Sequence, residues 1–125
     1  MKRYVLLFAL AACGPDETIS AFGSGDDYVL RELNGAPVNT QITLNISDTG
    51  QISGQAPCNS YTANQLVPYP WFEIGPVMAT RRACPELALE SRYFETLAAM
   101  TLAEISGPVL ILSNDADDSL VFQSP

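Results

Sequence analysis

The 125-residue chain contains no histidine, and its single lysine is Lys2. Without histidine there is no Ser-His hydrolase mechanism and no His-ligated zinc site. A Ser-Lys pair or a Schiff base would have Lys2 alone to draw on. Basic residues are few, 6 against 14 acidic ones. That balance excludes nucleic acid binding, which needs a basic footprint, and electrostatic docking on anionic headgroups. The acidity itself reads as solubility. No Cys-x-x-Cys occurs, and Gly23-Ser24-Gly25 lacks the strand, spacing and lysine of a phosphate loop. Carboxylates are present, but nothing marks two of them as a catalytic pair. The expectation is a non-enzymatic protein with no catalytic residue, no cofactor and no metal. The N-terminal apolar run, Tyr4 to Leu10, is far short of the roughly 20 residues that span a bilayer.

What that segment does carry is an order: Lys2 and Arg3, then the apolar run, then Leu10-Ala11-Ala12-Cys13. Basic, apolar and small residues in sequence read as a secretory signal peptide. A cysteine directly after Leu-Ala-Ala resembles a bacterial lipobox, in which Cys13 is acylated and residues 1–12 are removed. Lys2 would leave with them. One acyl chain binds a membrane only reversibly, whereas the three chains typical of bacterial lipoproteins hold firmly. Gly14, in place of the Asp that retains such proteins at the inner membrane, points to the outer membrane and its periplasmic face. Residues 13–25 then read as the acylated cysteine and a flexible tether, with too little apolar surface to offset ordering. The domain is expected over 26–124. Of the three cysteines, Cys58 and Cys84 remain beyond the lipidated one. A pair in an oxidising compartment reads as a disulfide, the rival being a reactive thiol pair.

Within the domain the period is mostly two. Tyr28 to Leu33 reads as a strand ending at an Asn34-Gly35 turn, and Ile42, Leu44 and Ile46 alternate with polar residues. Asp48-Thr49-Gly50 turns that strand into Gln51 to Gly54, and Cys58 opens an extended piece to about Leu66. Trp71 to Ile74 and Val77 to Thr80 read as short strands. Pro85 to Met100 lacks glycine and spaces Leu87, Phe94 and Leu97 on one helical face, widened by Leu89, Tyr93 and Met100. Strands over 102–105, 109–112 and 120–122 finish the domain. The expected fold is mainly β with one helix, a small antiparallel barrel-like sheet whose interior is filled by side chains including Tyr61, Trp71, Phe72 and Phe94. Asn114-Asp115-Ala116-Asp117-Asp118 clusters oxygen ligands but lacks the glycine and distal glutamate of a calcium loop, so it reads as a solvated hairpin.

The order of these motifs resembles the META domain family, also called HslJ-like. Asn34-Gly35-Ala36-Pro37-Val38 is similar to the family's opening turn. Ser53-Gly54, then Cys58-Asn59-Ser60-Tyr61, is similar to its central signature. Thr80 to Cys84, followed by a helix with Glu90, Phe94 and Leu97, is similar to its Thr-x-x-x-Cys segment. Pro57 and Ala63 stand where the family usually has glycine. The resemblance implies a β-rich fold with one helix, a link to envelope stress and no settled activity. Asn59, Tyr61 and Thr80 are the family-motif candidates. One reading makes Cys-Asn-x-Tyr a functional site; the other pairs Cys58 with Cys84, uses Asn59 to bond its loop and packs Tyr61 inside.

The function expected is that of a lipid-anchored envelope protein, held to the membrane through Cys13. It would bind an envelope protein or a cell-wall partner, or support the envelope under stress. The alternatives are a barrel that binds a small ligand inside and a thiol–disulfide redox protein using Cys58 and Cys84.

Overall fold

A computed structural model describes residues 27–125. The expected signal segment, Cys13 and the tether lie outside them. Among the described residues nine strands form one antiparallel sheet: β1 (Asp27–Leu33), β2 (Ala36–Pro37), β3 (Thr43–Ile46), β4 (Gln51–Gln55), β5 (Ser60–Asn64), β6 (Met78–Ala79), β7 (Leu102–Ser106), β8 (Val109–Ser113) and β9 (Ser119–Gln123). The one helix among the described residues, α1 (Leu87–Ala99), precedes β7. The strand order is β6-β5-β4-β3-β1-β9-β8-β7, with β2 folded back on β1.

Alternation places the core as the sequence implies. Ile42, Leu44 and Ile46 are all fully buried, as are Leu110 and Leu112 of β8 and Leu120 and Phe122 of β9. In β1 the parity breaks. Its register against β9 shifts between Leu30 and Glu32, so Tyr28, Leu30 and then Leu33 point inward while Glu32 stays out. The turn after it holds Asn34 at φ 52° and Gly35 at φ 82°, a left-handed pair that these two residue types tolerate. Asn34 also ties that turn to β9, accepting the Ser119 N–H on Oδ1 at 2.8 Å.

The sheet curls but does not close into a barrel. The gap between β5 and β7 is spanned by residues 65–74 through two single bridges, Gln65 to Ile74 and Trp71 to Leu102. The strand expected over Trp71 to Ile74 is therefore not a continuous ladder, because Pro68 and Pro70 have no N–H to donate. Alternation along this segment turns Phe72 inward and leaves Trp71 58 % exposed, so Trp71 is not the core residue expected.

The helix fills the concave side of the sheet with Tyr93, Leu97 and Met100 of its expected apolar stripe, but the face is rotated away from Leu87 and Phe94. Its inward residues are Glu90, Tyr93 and Leu97, continued by Met100, while Leu87 is 42 % exposed and Phe94 is half-buried at the margin. The rotation has a physical reason: a glutamate occupies the inner face and must reach partners there. With Tyr93 against Phe122 (centroids 6.5 Å apart) and Leu97 wholly buried, the inner face of α1 is packed with side chains. Among the described residues no helix is long and apolar enough to cross a membrane.

Candidate functional site

The signature residues converge where β4, β5, the segment before α1 and the helix meet. Asn59 sits just ahead of β5 and is buried. Its Nδ2 donates to the Arg82 carbonyl at 2.9 Å and to Glu90 Oε2 at 2.7 Å. Its Oδ1 accepts from Thr80 Oγ1 at 2.9 Å and from the Arg82 N–H at 2.6 Å. A side-chain amide has two donor and two acceptor positions, and all four are used. The Asn59 carbonyl accepts from the Ala56 N–H at 2.8 Å.

Glu90 completes the knot. Its Oε1 accepts the backbone N–H groups of Cys58 at 2.8 Å and Asn59 at 2.9 Å. These two amides belong to a buried loop with no strand partner of its own, and an unpaired amide there is expensive. One carboxylate thus does for the loop what a sheet ladder does elsewhere. Cys58 and Cys84 are joined by a disulfide with Cα atoms 5.5 Å apart, which fastens the same loop to the residues entering α1.

Tyr61, in β5, is buried with its ring 5.7 Å from Tyr93 and 5.3 Å from Phe94, both edge-on. Its hydroxyl donates to the Thr43 carbonyl at 2.7 Å and receives the Tyr93 hydroxyl at 2.6 Å. Burial pushes the Tyr61 phenol well above its ordinary value, against a smaller lowering by the Tyr93 hydrogen bond. Burial does the same to Tyr93, reinforced by Tyr61. Neither phenol serves as an anion or a base near neutral pH. Gly54 explains how the Tyr61 hydroxyl reaches Thr43. A Cβ on Gly54 would fall inside the Thr43 backbone and 2.9 Å from that hydroxyl. Ala63, at a position where glycine is usual, is an ordinary buried strand residue opposite Ile52.

Cys58, Cys84, Asn59, Tyr61 and Thr80 are therefore brought into one cluster, and their polar atoms bond to one another or to Glu90, Tyr93 and the backbone. Periodicity alone misses Glu90 and Tyr93 as its partners. Only an acidic residue on the helix face nearest Cys58 signals them. Among the described residues no group of three or more His, Cys, Asp or Glu side chains is placed to hold a metal ion. Asn114 organises the β8–β9 loop instead, accepting the Ala116 and Asp118 N–H groups on Oδ1 at 2.9 and 3.0 Å.

Two open grooves border the cluster. One, about 570 Å³, lies over β4, β5 and β6. The other, about 410 Å³, runs between β6 with the following residues and the flank of α1, where Arg81, Arg82, Leu87 and Phe94 line it. Both are surface concavities, not chambers behind the helix.

The META domain family model matches residues 21–125. Among solved structures, the chain is similar to an NMR structure of a protein from Burkholderia xenovorans at 25 % identity and TM-score 0.65, covering 90 % of this chain and 92 % of that one. A second NMR structure is similar at 20 % identity and TM-score 0.68, covering 85 % of this chain and 94 % of the other, and shows the fold alone. No curated protein matches.

Proposed function

The chain belongs to the META domain family, and from that premise we propose a lipid-anchored, non-enzymatic module of the bacterial envelope that binds a partner through its outer surface. One observation carries the reading. The motif spends its hydrogen-bonding groups inside the domain, and the interior is filled by Tyr28, Tyr61, Tyr93 and Phe122. What remains free to recognise anything lies outside. That filled interior speaks against a ligand held within the sheet, which would need an apolar cavity with a few convergent polar groups. The anchor rests on Leu10-Ala11-Ala12-Cys13 behind Lys2 and Arg3. Gly14 favours the outer membrane, where the partner would be another envelope protein or the cell wall and the role would be support under stress.

The test has two arms in cells with a bacterial envelope. Intact mass and detergent partitioning should give a chain beginning at an acylated Cys13 and found with the membrane, and Cys13→Ser should release it. A soluble wild-type product with a free Cys13 thiol would overturn the anchor. A photo-crosslinker placed in turn at exposed positions should yield adducts from one face of the domain. Adducts from no position would overturn partner binding.

A further inference from the structure

β6 is the last strand of the sheet, so one of its edges faces no strand. Along an antiparallel strand, backbone groups alternate between the partner and the outside. Thr80 donates its N–H to the Ser60 carbonyl at 3.2 Å, and Arg82 donates its own to Asn59 Oδ1 at 2.6 Å. Ala79, opposite Tyr61 at a non-hydrogen-bonded position of the ladder, and Arg81 alternate with them and turn their backbone groups outward. An open edge of this kind is a template for another strand.

That edge borders the 410 Å³ groove, and α1 forms the far wall. Leu87 is 42 % exposed there and Phe94 is half-buried, so the wall is apolar. Glu90 also lines the groove, but its carboxylate is occupied by N–H donors from Cys58 and Asn59. The uncommitted charges are Arg81 and Arg82. Neither guanidinium has a hydrogen-bond or ion-pair partner among the described residues. They are two of only four arginines set against eleven carboxylates in those residues. A domain that is acidic elsewhere thus gathers half the positive charge of its described residues at an open strand edge with an apolar wall.

We infer that this groove takes an extended acidic segment of a partner protein as an added strand on β6. Main-chain bonds to Ala79 and Arg81 give the segment its register, an apolar side chain rests on Leu87 and Phe94, and a carboxylate pairs with Arg81 and Arg82. The inference rests on the partner-binding reading and narrows it to one surface and one chemistry.

The experiment places a photo-crosslinking amino acid at Leu87 or at Trp71 of the full chain in intact cells, and sequences the crosslinked peptide by mass spectrometry. The expected result is an adduct from Leu87, on an acidic segment of another protein, that falls about tenfold or more in Arg81→Glu/Arg82→Glu. Both arginines are exposed, and a thermal melt with an intact disulfide establishes that this variant is folded. A synthetic peptide of the crosslinked segment should then shift the ¹⁵N–¹H signals of Ala79 and Arg81. N-methylation of its alternate amides should weaken it about tenfold or more. Adducts from Trp71 alone would overturn the groove and leave partner binding standing, whereas adducts from neither site nor any other exposed position would overturn both. A Leu87 adduct overturns the inference if it maps to a lipid, a glycan, a basic peptide or this chain itself, or if it survives the charge reversal.

Discussion

Replacing Glu90 with alanine should be among the most damaging single changes to this domain, although a helix-surface glutamate normally tolerates it. Three N–H groups end on the carboxylate: two backbone amides from Cys58 and Asn59 and the side-chain amide of Asn59, at 2.7–2.9 Å. Hydrogen bonds to a charged group contribute about 1.5–3 kcal/mol each, and orphaned buried donors add their desolvation. The contributions share one loop and do not add in full, so about 3–5 kcal/mol is expected. Against a total stability of about 5–15 kcal/mol, that is about a fifth or more. Glu90→Gln should be milder but not neutral. Its carbonyl can serve the two backbone amides, but its NH₂ then faces the NH₂ of Asn59. Asn59 cannot flip to help, because Thr80 and Arg82 donate to its Oδ1. Urea unfolding followed by tyrosine near-UV dichroism measures the loss, since Trp71 is too exposed to report on the core. An alanine variant within about 1 kcal/mol of wild type at unchanged denaturant slope, or a glutamine variant indistinguishable from it, would refute the reasoning.

Reducing the disulfide, or replacing Cys58 and Cys84 with alanine, should cost about 3.5 kcal/mol for a bridge closing 26 positions in the chain-entropy picture; paired urea melts would check it. Stability should be level to about pH 9 and fall above about pH 10. The folded phenols of Tyr61 and Tyr93 are raised, so unfolding there releases protons the native state retains. The fall should approach about 1.4 kcal/mol per pH unit for each tyrosine, read from urea midpoints against pH; a level curve past pH 11 would contradict the buried pair. Leu97→Ala should cost about 2–5 kcal/mol and Leu87→Ala no more than about 0.5, the reverse ranking being incompatible with the observed helix face.

Most of the sheet is legible in the sequence because a half-buried strand has a period of two. Ile42, Leu44 and Ile46 announce both strand and orientation, and Asn34-Gly35 announces a turn only a few residue types make. The helix is equally plain, and so are Tyr93, Leu97 and Met100 on its inner face, but the rotation that exposes Leu87 is not. An apolar pattern weighs Leu87 and Phe94 above a glutamate, whereas the loop's unpaired amides decide which side turns in. Trp71 deceives for a related reason: composition says core, but the alternation of its segment gives that place to Phe72. The Asn59 knot is only half visible. Asn59 and Thr80 stand out as a motif, but nothing local to either says that each of their bonds is satisfied within the domain.

The position of β1 has a kinetic consequence. It is the first strand described, yet it lies between β3 and β9, and Val29 is paired with Gln123 close to the C-terminus. Nearly the whole domain must be synthesised before that pairing exists, and long loop closures of this kind slow folding. A ribosome-bound chain keeps one side of β1 unsatisfied until β9 emerges. Such a chain completes the middle of its sheet only once β9 is free to pair. A product cut short before Ser119 loses a strand from the middle of the sheet, not from its margin, and is a ready substrate for proteases.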